Sequence, residues 1–395
     1  MNAVSDSLID APISPECLVS IVIPVRDEAE NLAVALDAFV VQVDLQNRPL
    51  DSNIFEIIVL ANNCRDNSAQ TARDWQKRNS PINLHVAEIA LPLKLANIGF
   101  FRRLLMNEAF RRLQSNNFQG GIIATTDGDT RVAPDWISQN MSEIENGADA
   151  VGGRILMEAA ELEKMDERAR YFHLRDEEYH LLAAEYECYL DEIIHDVFPR
   201  HHQHFNGSFA VKTGVFKRAG GIPEVEFLED IAFYNALLRI DAKFRHSPSV
   251  KVFTSSRHLG RSAVGLSFQL NEWKKLGETG ADFLVEAANA LEKKFLARKK
   301  LRGLWFAAKS NDFPNPAAVS ALAETLCVPS KFVSDEISKP QTFGNLLEKI
   351  YERQQQNRRW HQQNPPVAVE AAIAGLKFKL ENSRSANLSF KIDAR

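Results

Sequence analysis

Short apolar segments alternate with helix-like segments through residues 1–155, and this alternation constrains the fold more than any other feature. Apolar, β-branched segments predict strands, and an amphipathic segment with helical spacing follows each of them. The predicted strands are LVSIVI (18–23), FEIIVL (55–60), INLHVA (82–87) and GIIATT (121–126), with a further apolar segment, ADAVGGRI, at 148–155. The predicted helices cover 28–42, 67–78, 96–114 and 134–146. Strands that are apolar throughout and alternate with helices predict an α/β fold, in which a mostly parallel sheet carries helices on both faces.

The rest of the chain changes in character at two points. Segment 158–196 is strongly acidic and rich in helix formers, so it predicts one or two helices inserted before strand and turn signals return over 201–265. From residue 266 the pattern is mainly helical, and the last thirty or so residues are polar and are expected to be partly loose. We therefore expect an N-terminal tail (1–14), an α/β domain (15–265) with a helical insertion (158–200), and a helical C-terminal region (266–395).

The composition argues against several classes of protein. The chain has 45% hydrophobic and 25% charged residues, a net charge of -5 and a pI near 6.1, so a general nucleic-acid binder is not expected. The N-terminus has acidic residues and no apolar core, and no stretch of about 18 apolar residues occurs, so neither a signal peptide nor a membrane span is expected. The four cysteines are far apart in the sequence and predict reduced thiols in a cytoplasmic protein: Cys17, Cys64, Cys188 and Cys327. The absence of a predicted membrane span leaves peripheral contact with a membrane open.

Two aspartates, Asp127 and Asp129, follow the predicted strand GIIATT and are separated only by Gly128. Like charges this close repel each other unless a cation lies between them. Ligands of parallel sheets bind at the carboxyl ends of the strands, and carboxylate oxygens are good ligands for Mg²⁺ or Mn²⁺. The pair therefore predicts a divalent-metal site that binds a diphosphate. The alternative is a strand that simply ends in solvent.

A second carboxylate pair, Glu229 and Asp230, stands where a helix is predicted to begin. A carboxylate held at the edge of the sheet can remove a proton from a hydroxyl group, although acidic residues also stabilise helix N-termini. After the first predicted strand, Pro24 precedes charged residues, which suits a turn that presents backbone groups and Glu28 to a ligand. A helix N-terminus is again the alternative for the acidic residues of that segment.

Other signatures are absent or carry an ordinary interpretation. No GxGxxG turn follows the first strand, so a dinucleotide-binding site is not expected there, and no GxxxxGK[ST] occurs, so the chain has no P-loop motif. The basic segment 94–113 predicts an amphipathic helix with one solvated cationic face, and the alternative is that one of its cations approaches a diphosphate: Lys94, Arg102 or Arg103. Three nearby histidines fit no zinc spacing and are predicted to lie on a solvated loop: His201, His202 and His204.

Five segments resemble successive blocks of the GT-A-fold glycosyltransferases of family 2 type, in the same order and spacing over roughly residues 15–265. The blocks are VSIVIPVRDEAENL, FEIIVLANNCRDNSAQT, IIATTDGDTRVAPDWI, FNGSFAVKTGVFKRAGGIPE and FLEDIAFYNALL. The resemblance implies the GT-A (nucleotide-diphospho-sugar transferase) fold. It also implies that Asp127 and Asp129 hold the metal and the donor diphosphate. Asp230, next to Glu229, becomes the candidate catalytic base, and the implied nucleotide-pocket residues are Pro24, Glu28, Asn62 and Asn63. Lys94 stays a candidate for contact with the donor diphosphate from the basic segment.

The sequence also departs from the family pattern. ANN (61–63) stands where the family commonly has an acidic pair, so the bound nucleotide is not implied. The QxxRW motif of processive members is absent, so polymer synthesis is not expected. SSRHLGR (255–261) is similar to the loop of mannosylglycerate synthase-like soluble members, in which a histidine completes the metal site. His258 is therefore the candidate third metal ligand, Arg257 and Arg261 are candidates for binding the diphosphate, and inversion or retention stays open.

The resemblance implies a metal-dependent, non-processive enzyme that moves a sugar from a nucleotide-diphosphate-sugar donor to a hydroxyl acceptor, which is a small molecule or a lipid. The sugar, the nucleotide, the acceptor and the oligomeric state are not implied. One alternative is a haloacid dehalogenase-type phosphatase or phosphotransferase, which also places Asp-x-Asp after a strand, usually the first. The other alternative is a non-catalytic nucleotide-sugar-binding protein with the same fold.

Overall fold

A computed structural model of the protein describes residues 7–92, 96–116, 120–255, 265–310, 314–339 and 341–393. Within these ranges the strands are β1 (Val19–Val25), β2 (Phe55–Asn62), β3 (Leu84–Ile89), β4 (Ile122–Thr126), β5 (Arg131–Val132), β6 (Ala150–Met157), β7 (Ser208–Lys212), β8 (Phe244–Thr254), β9 (Leu284–Val285) and β10 (Val367–Ala368). The helices are α1 (Leu32–Val40), α2 (Ser68–Arg78), α3 (Ile98–Ser115), α4 (Trp136–Glu145), α5 (Ala159–Glu163), α6 (Glu167–Leu190), α7 (Thr213–Ala219), α8 (Glu229–Arg239), α9 (Leu266–Thr279), α10 (Ala288–Lys309), α11 (Pro316–Thr325), α12 (Ser330–Ile337), α13 (Phe343–Gln356), α14 (Arg359–Gln363) and α15 (Val369–Asp393). The predicted α/β class is confirmed, with a large central sheet and many helices.

The central sheet has eight strands in the order β3-β2-β1-β4-β7-β6-β8-β5. Strands β3, β2, β1 and β4 are parallel, β7 is antiparallel to both of its neighbours, and β6 and β8 pair in parallel. The sheet is therefore more mixed than predicted, since β7 interrupts it and β5 pairs antiparallel with β8. Ser208, the first residue of β7, pairs with Thr126, the last residue of β4. Apart from β7 and the short β5, the six strands of the sheet therefore all end on the same side, which is the end of the sheet where β7 begins. Below, this carboxyl end is called the edge of the sheet.

The apolar strands are buried along their whole length, as their uninterrupted sequence predicts. Every residue of β1 and of β2 is buried. Large side chains from the flanking helices fill the core against these strands: Phe39 of α1, Trp75 of α2 and Trp136 of α4. The core therefore fixes the positions of the strand ends, where the candidate site residues lie.

The chain divides into two compact units. The first consists of residues 1–165, 203–237 and 242–269, and it contains the eight-stranded sheet. The second consists of residues 166–202, 238–241 and 270–395, and it is mainly helical. Its longest described helices, α6, α10 and α15, have 24, 22 and 25 residues. Among the helices of the described ranges, none combines the length and the apolar character that crossing a bilayer requires.

The last segment of the chain differs from the sequence prediction. It was expected to be partly loose, but α15 covers nearly all of it. Four apolar side chains recur at helical spacing, are buried and share one core with residues of α6 and α10: Ala372, Ile373, Leu376 and Leu380. The expectation was wrong because it was based on average polarity, whereas a helix needs only one apolar face to pack.

Helix α3 buries two of its arginines, so the prediction of a solvated cationic face was wrong for both. Arg102 is 3% and Arg112 2% exposed. Nη2 of Arg112 donates to Oε2 of Glu56 at 2.6 Å, and the hydroxyl of Ser20 donates to Oε1 of Glu56 at 2.8 Å. This buried ion pair joins α3 to β1 and β2.

The ion pair also controls the protonation of Glu56. Burial acts to raise the pKa of Glu56, but its contacts with His85 and Arg112 outweigh burial and lower the pKa from 4.5 to about 2. A carboxyl whose pKa is lower in the folded chain stabilises the fold above its unfolded pKa, and that stabilisation is lost as the pH falls toward the folded value. We expect this contribution to be complete above about pH 4.5 and to be lost by about pH 2.

Replacing Arg112 with methionine is expected to lower the free energy of unfolding by about 3–5 kcal/mol, because Glu56 would stay buried without its cation. Urea unfolding at pH 7, followed by circular dichroism, measures this loss. Arg73→Met is the control, since the side chains of Arg73 and its partner Glu88 are 41% and 56% exposed, and surface pairs contribute about 0–1 kcal/mol. An Arg112→Met loss no larger than that of the control would contradict the prediction.

Candidate active site

Asp127 and Asp129 lie directly after β4, at the edge where the parallel strands end. A Cβ added to Gly128 would lie 3.0 Å from Cγ2 of Val25 and 3.3 Å from Cγ of Glu28. The turn that carries the two aspartates therefore packs directly against the end of β1 and against the Glu28 side chain. Only a residue without a side chain fits between the aspartates unless these neighbours shift.

One buried arginine, Arg102, connects Asp127 with Glu229. Its Nη2 donates to Oδ1 of Asp127 at 2.7 Å, and its Nε lies 3.4 Å from Oε1 of Glu229. Its Nη1 donates to Oγ1 of Thr125 at 2.5 Å and to the carbonyl of Asn206 at 3.2 Å. Burial alone would lower the pKa of Arg102, but the negative charges of Asp127 and Glu229 raise it overall. The guanidinium therefore stays charged between the two carboxylate pairs.

Glu229 and Asp230 begin α8, so the predicted helix start is confirmed. Glu229 is 7% exposed and packs against the first turn of α3, where a Cβ added to Gly99 would lie 3.0 Å from its Cβ. Leu228, the residue before the pair, has a φ of 58°, which is rare for a branched side chain. Such outliers concentrate at functional sites, because the surrounding structure has to hold them in place.

The environment of Asp230 makes it a stronger proton acceptor than an ordinary aspartate. Burial is the main reason that its pKa is raised, and the negative charge of Glu229 raises it further. The N–H of Ile231, which donates to Oδ1 of Asp230 at 2.9 Å, and the charge of Arg102 act in the opposite direction but do not cancel the rise. A base with a raised pKa accepts a proton more readily near neutral pH.

Asp129 contacts the segment that follows β8. The hydroxyl of Ser255, the residue directly after β8, lies 3.2 Å from Oδ2 of Asp129 and donates a hydrogen bond to it. The turn after β4 and the segment after β8 therefore meet at the site. Four predicted ligand-binding residues lie outside the described residues: Lys94, Arg257, His258 and Arg261.

Pro24 and Glu28 do not belong to one loop, and it is Glu28 that lies beside the aspartate turn. Pro24 is a buried residue inside β1, so its predicted place in a turn was wrong. Glu28 is 8% exposed, and its Oε2 accepts a hydrogen bond from the amide of Asn31 at 3.2 Å. Helix α1 begins at Leu32, and the N–H groups of Asn31 and Leu32 donate to the carbonyl of Glu28 at 3.0 and 2.9 Å, so Glu28 lies at the N-terminal end of the helix and that alternative stays open.

Asn62 and Asn63 use their side-chain amides to connect strand ends. Nδ2 of Asn62 donates to the carbonyl of Val25 at 3.0 Å, and Asn62 is 3% exposed. Nδ2 of Asn63 donates to the carbonyl of Leu91 at 2.7 Å, and its Oδ1 accepts from the N–H of Leu91 at 3.2 Å. These bonds join the last residues of β1 and β2 to each other, and the segment after β2 to the segment after β3. The predicted contact of both amides with a nucleotide stays a prediction.

Another group of potential metal ligands lies in the loops after β1 and β2. Ligand atoms of Asp27, Cys64 and Asp66 all lie within 4.8 Å of one another. Oδ1 of Asp27 accepts from the N–H of Arg65 at 2.6 Å, and Oδ2 of Asp66 accepts from the N–H of Ala29 at 2.9 Å. Burial raises the pKa of Cys64, which disfavours the thiolate that a metal requires. The group is therefore best explained as a set of hydrogen bonds that join two loops.

The histidines of PRHHQH do not lie on a solvated loop, so that prediction was wrong. His201 is 1% exposed. His202 stacks on His180 with ring centroids 4.4 Å apart, and His204 stacks on Tyr234 with centroids 3.9 Å apart. Ring stacking accounts for the packing of His202 and His204. In the described part of the chain, none of the three belongs to a group of three potential metal ligands.

The aspartate turn offers carboxylate oxygens, the kind of ligand that divalent cations such as Mg²⁺ prefer. The Asp127 side chain is 40% exposed, and Arg102 engages its Oδ1. A Cβ added to Gly207 would lie 3.0 Å from Oδ2 of Asp127, so a side chain there would crowd this oxygen. Over the described ranges, Asp127 and Asp129 belong to no group of three potential ligands within 4.8 Å. Divalent cations commonly complete their coordination with water and substrate phosphates, which suits such a pair.

Comparison with solved structures gives similarities to glycosyltransferases at low sequence identity. The chain is similar to S. aureus TarS 1-349 in complex with UDP-GlcNAc, with 13% identity over 92% of this chain and 92% of that chain and a TM-score of 0.44. It is also similar to the mannosyltransferase PcManGT from Pyrobaculum calidifontis in complex with GDP-Man and Mn²⁺, with 14% identity over 94% and 89% of the two chains and a TM-score of 0.42. The glucosyl-3-phosphoglycerate synthase of M. tuberculosis matches with 13% identity over 68% and 85% and a TM-score of 0.34. No family model matches the chain, and no curated protein matches it.

Proposed function

We propose that the protein is a GT-A-fold glycosyltransferase of family 2 type, which transfers a sugar from a nucleotide-diphosphate-sugar donor to a hydroxyl acceptor without polymer synthesis. One observation carries this proposal: Arg102 holds a carboxylate of the predicted metal pair and a carboxylate of the predicted base pair at one edge of the sheet. Donor activation and acceptor deprotonation require these two groups at one site. The proposed catalytic domain covers residues 15–265, with the helical insertion at 158–200, and precedes the helical C-terminal region.

On the donor side, Asp127 and Asp129 would hold Mg²⁺ or Mn²⁺. When bound, the metal acts as a Lewis acid on the departing diphosphate. Because Arg102 engages Oδ1 of Asp127, that residue would offer Oδ2 to the ion. His258 is the proposed third protein ligand. Further donor contacts are proposed for Lys94, Arg257 and Arg261 at the diphosphate and for Glu28 beside the turn, with Pro24, Asn62 and Asn63 at the nucleotide.

On the acceptor side, Asp230 is the proposed base. Its raised pKa favours acceptance of a proton from the incoming hydroxyl group. Glu229, fixed between Arg102 and α3, keeps a negative charge next to Asp230 and so contributes to that raised pKa. The acceptor is proposed to be a small molecule or a lipid that carries a hydroxyl group.

A screen of nucleotide sugars by thermal unfolding tests the proposal. A donor that binds only the folded protein is expected to stabilise it by about 2.7 kcal/mol at a hundredfold excess over its dissociation constant. We expect this stabilisation in the presence of Mn²⁺ and its loss when a chelator is added. The control is the same screen with nucleoside monophosphates, which lack the diphosphate. Absence of stabilisation by every UDP-, GDP- and other nucleotide sugar, with Mn²⁺ and with Mg²⁺, would contradict the proposal.

The two alternatives predict different results. A haloacid dehalogenase-type phosphatase would hydrolyse a generic aryl phosphate in the presence of Mg²⁺. It is not favoured, because that class usually carries its Asp-x-Asp on the first strand and here the pair follows β4. A non-catalytic nucleotide-sugar-binding protein would be stabilised by a donor but would release no nucleoside diphosphate when acceptors are supplied.

A further inference from the structure

We propose that Arg102 is a positioning residue that orients both carboxylate pairs of the site and limits the negative charge that a metal ion meets there. This inference rests on the proposed function, because it gives Asp127 the role of a metal ligand and Asp230 that of the base. It goes further, because it assigns a measurable effect to a residue of α3 that contacts neither the reacting hydroxyl nor the sugar. That effect concerns both metal binding on the donor side and the base on the acceptor side.

The geometry of Arg102 is specific to a guanidinium group. Its side chain is 4% exposed, and its nitrogens face groups of three different elements: Asp127 after β4, Asn206 before β7 and Glu229 at the start of α8. A planar fork holds such partners in fixed directions, whereas the ammonium group of lysine is a compact charge on a flexible stem. The relative positions of β4, β7 and α8 at this edge therefore depend on the shape of Arg102 as well as on its charge.

Arg102 has two opposing effects on Asp127. It orients the carboxylate, because Oδ1 is fixed by the 2.7 Å hydrogen bond from Nη2. It also places a positive charge beside the carboxylate, and that charge repels a divalent cation in the partly buried site. The wild-type protein should therefore bind the metal less tightly than its carboxylates alone would allow, but with a defined ligand geometry.

Arg102 also keeps the base side of the site in place. Glu229 is 7% exposed and lies next to Asp230, so two carboxylates begin α8 in a largely buried position. Without a cation, this concentration of negative charge would favour a shift of the Glu229 side chain toward solvent and a movement of the first turn of α8. A displacement of about 1 Å at a catalytic group can cost about 100-fold in rate.

The test compares Arg102→Met, which removes the charge, with Arg102→Lys, which keeps the charge but not the fork. Mn²⁺ is titrated into each protein, alone and with UDP or GDP, and the free ion is followed by electron paramagnetic resonance. For Arg102→Met we expect Mn²⁺ affinity to rise about tenfold and turnover with the donor and acceptor to fall about 100-fold. For Arg102→Lys we expect Mn²⁺ affinity within about twofold of wild type and turnover that is not restored.

Arg112→Met is the matched control, because Arg112 is an equally buried arginine of the same helix that pairs with Glu56. It should lower stability and leave Mn²⁺ affinity unchanged. The double variant Arg102→Met/Glu229→Gln removes the unpaired charge together with its partner, so it should be more stable than Arg102→Met and still bind Mn²⁺. It provides a folded protein for the titration if Arg102→Met alone does not fold.

Opposite changes in metal affinity and turnover are the result that supports this role. A fall in both quantities, or turnover unchanged in Arg102→Met, would show that Arg102 is only a structural residue and would overturn the inference. Full recovery of turnover in Arg102→Lys would overturn the part that depends on the fork. Failure of the proposed function is recognised separately, because the wild-type protein itself would then bind no Mn²⁺ with either nucleotide, and this role would fail with it.

Discussion

Replacing Asp127 or Asp129 with asparagine is expected to abolish metal-dependent donor binding and to lower turnover by about 1000-fold or more. The reason is that a metal ion contributes several kcal/mol of stabilisation to the charge that develops on the departing diphosphate, and each 1.36 kcal/mol corresponds to about tenfold in rate. Asparagine keeps the size of the side chain but lacks the negative charge that holds the ion. Calorimetric titration of the donor with and without Mn²⁺ measures the binding, and release of nucleoside diphosphate measures the turnover.

The two variants should differ in stability, which provides an internal check. Asp129→Asn keeps a side-chain oxygen that can accept the hydrogen bond from Ser255, so the melting temperature without ligand should hardly change. Asp127→Asn removes one of the carboxylates that neutralise the buried Arg102, so it should also lower stability. Asp135→Asn, on the loop before α4, is the control that should keep donor binding. If both site variants still bound a UDP- or GDP-sugar, and a chelator did not weaken this binding, the result would contradict the metal site.

Asp230→Asn is expected to lower turnover by about 100-fold or more while donor binding persists, because it removes the proton acceptor and leaves the aspartate turn intact. The raised pKa of Asp230 also makes the activity depend on pH. Because the base works only when it is deprotonated, the activity falls as the pH decreases. This acid limb should lie above the pKa of an ordinary aspartate. It is measured as the pH dependence of kcat/KM in the wild-type protein.

Glu226→Gln is the control for Asp230→Asn, since Glu226 is an exposed carboxylate four residues earlier in the chain. It should change neither turnover nor the acid limb. Turnover of Asp230→Asn at the wild-type rate would show that Asp230 only stabilises the start of α8. A reduced but clear effect would indicate retention of configuration, in which the leaving phosphate can take the proton in place of the carboxylate.

The elements of the sheet could be predicted from sequence because each depends on local pattern. Strands β1, β2 and β4 are continuous apolar segments, and helices follow them at the expected places. The position of Asp127 and Asp129 followed from the same pattern, since residues directly after a buried parallel strand have to lie at the edge of the sheet. The direction of β7 could not be predicted, because a short apolar strand pairs equally well in either direction until its neighbours are known.

Arg102 was missed as a buried residue because amphipathic patterns assign charged residues to the solvent face by default. A signal was present: Arg102 lies three and seven residues before Leu105 and Ala109, both buried, so it shares their face of α3. An arginine on an apolar face needs a buried negative partner. The sequence does contain such partners in Asp127 and Glu229, but their proximity depends on a tertiary arrangement that helical spacing does not encode.

The place of β7 in the sheet has a consequence for the order in which the chain can fold during synthesis. Strands β4 and β6 precede β7 in the sequence, yet β7 lies between them and pairs with both. While the ribosome is still making α6, the facing edges of β4 and β6 therefore lack their partner strand, and unpaired edges promote association with other chains. The contacts of Arg102 with Asn206 and Glu229 likewise form only after these residues have been synthesised. A nascent chain that ends before Lys212 therefore lacks both the complete β7 between β4 and β6 and the contact of Arg102 with Glu229.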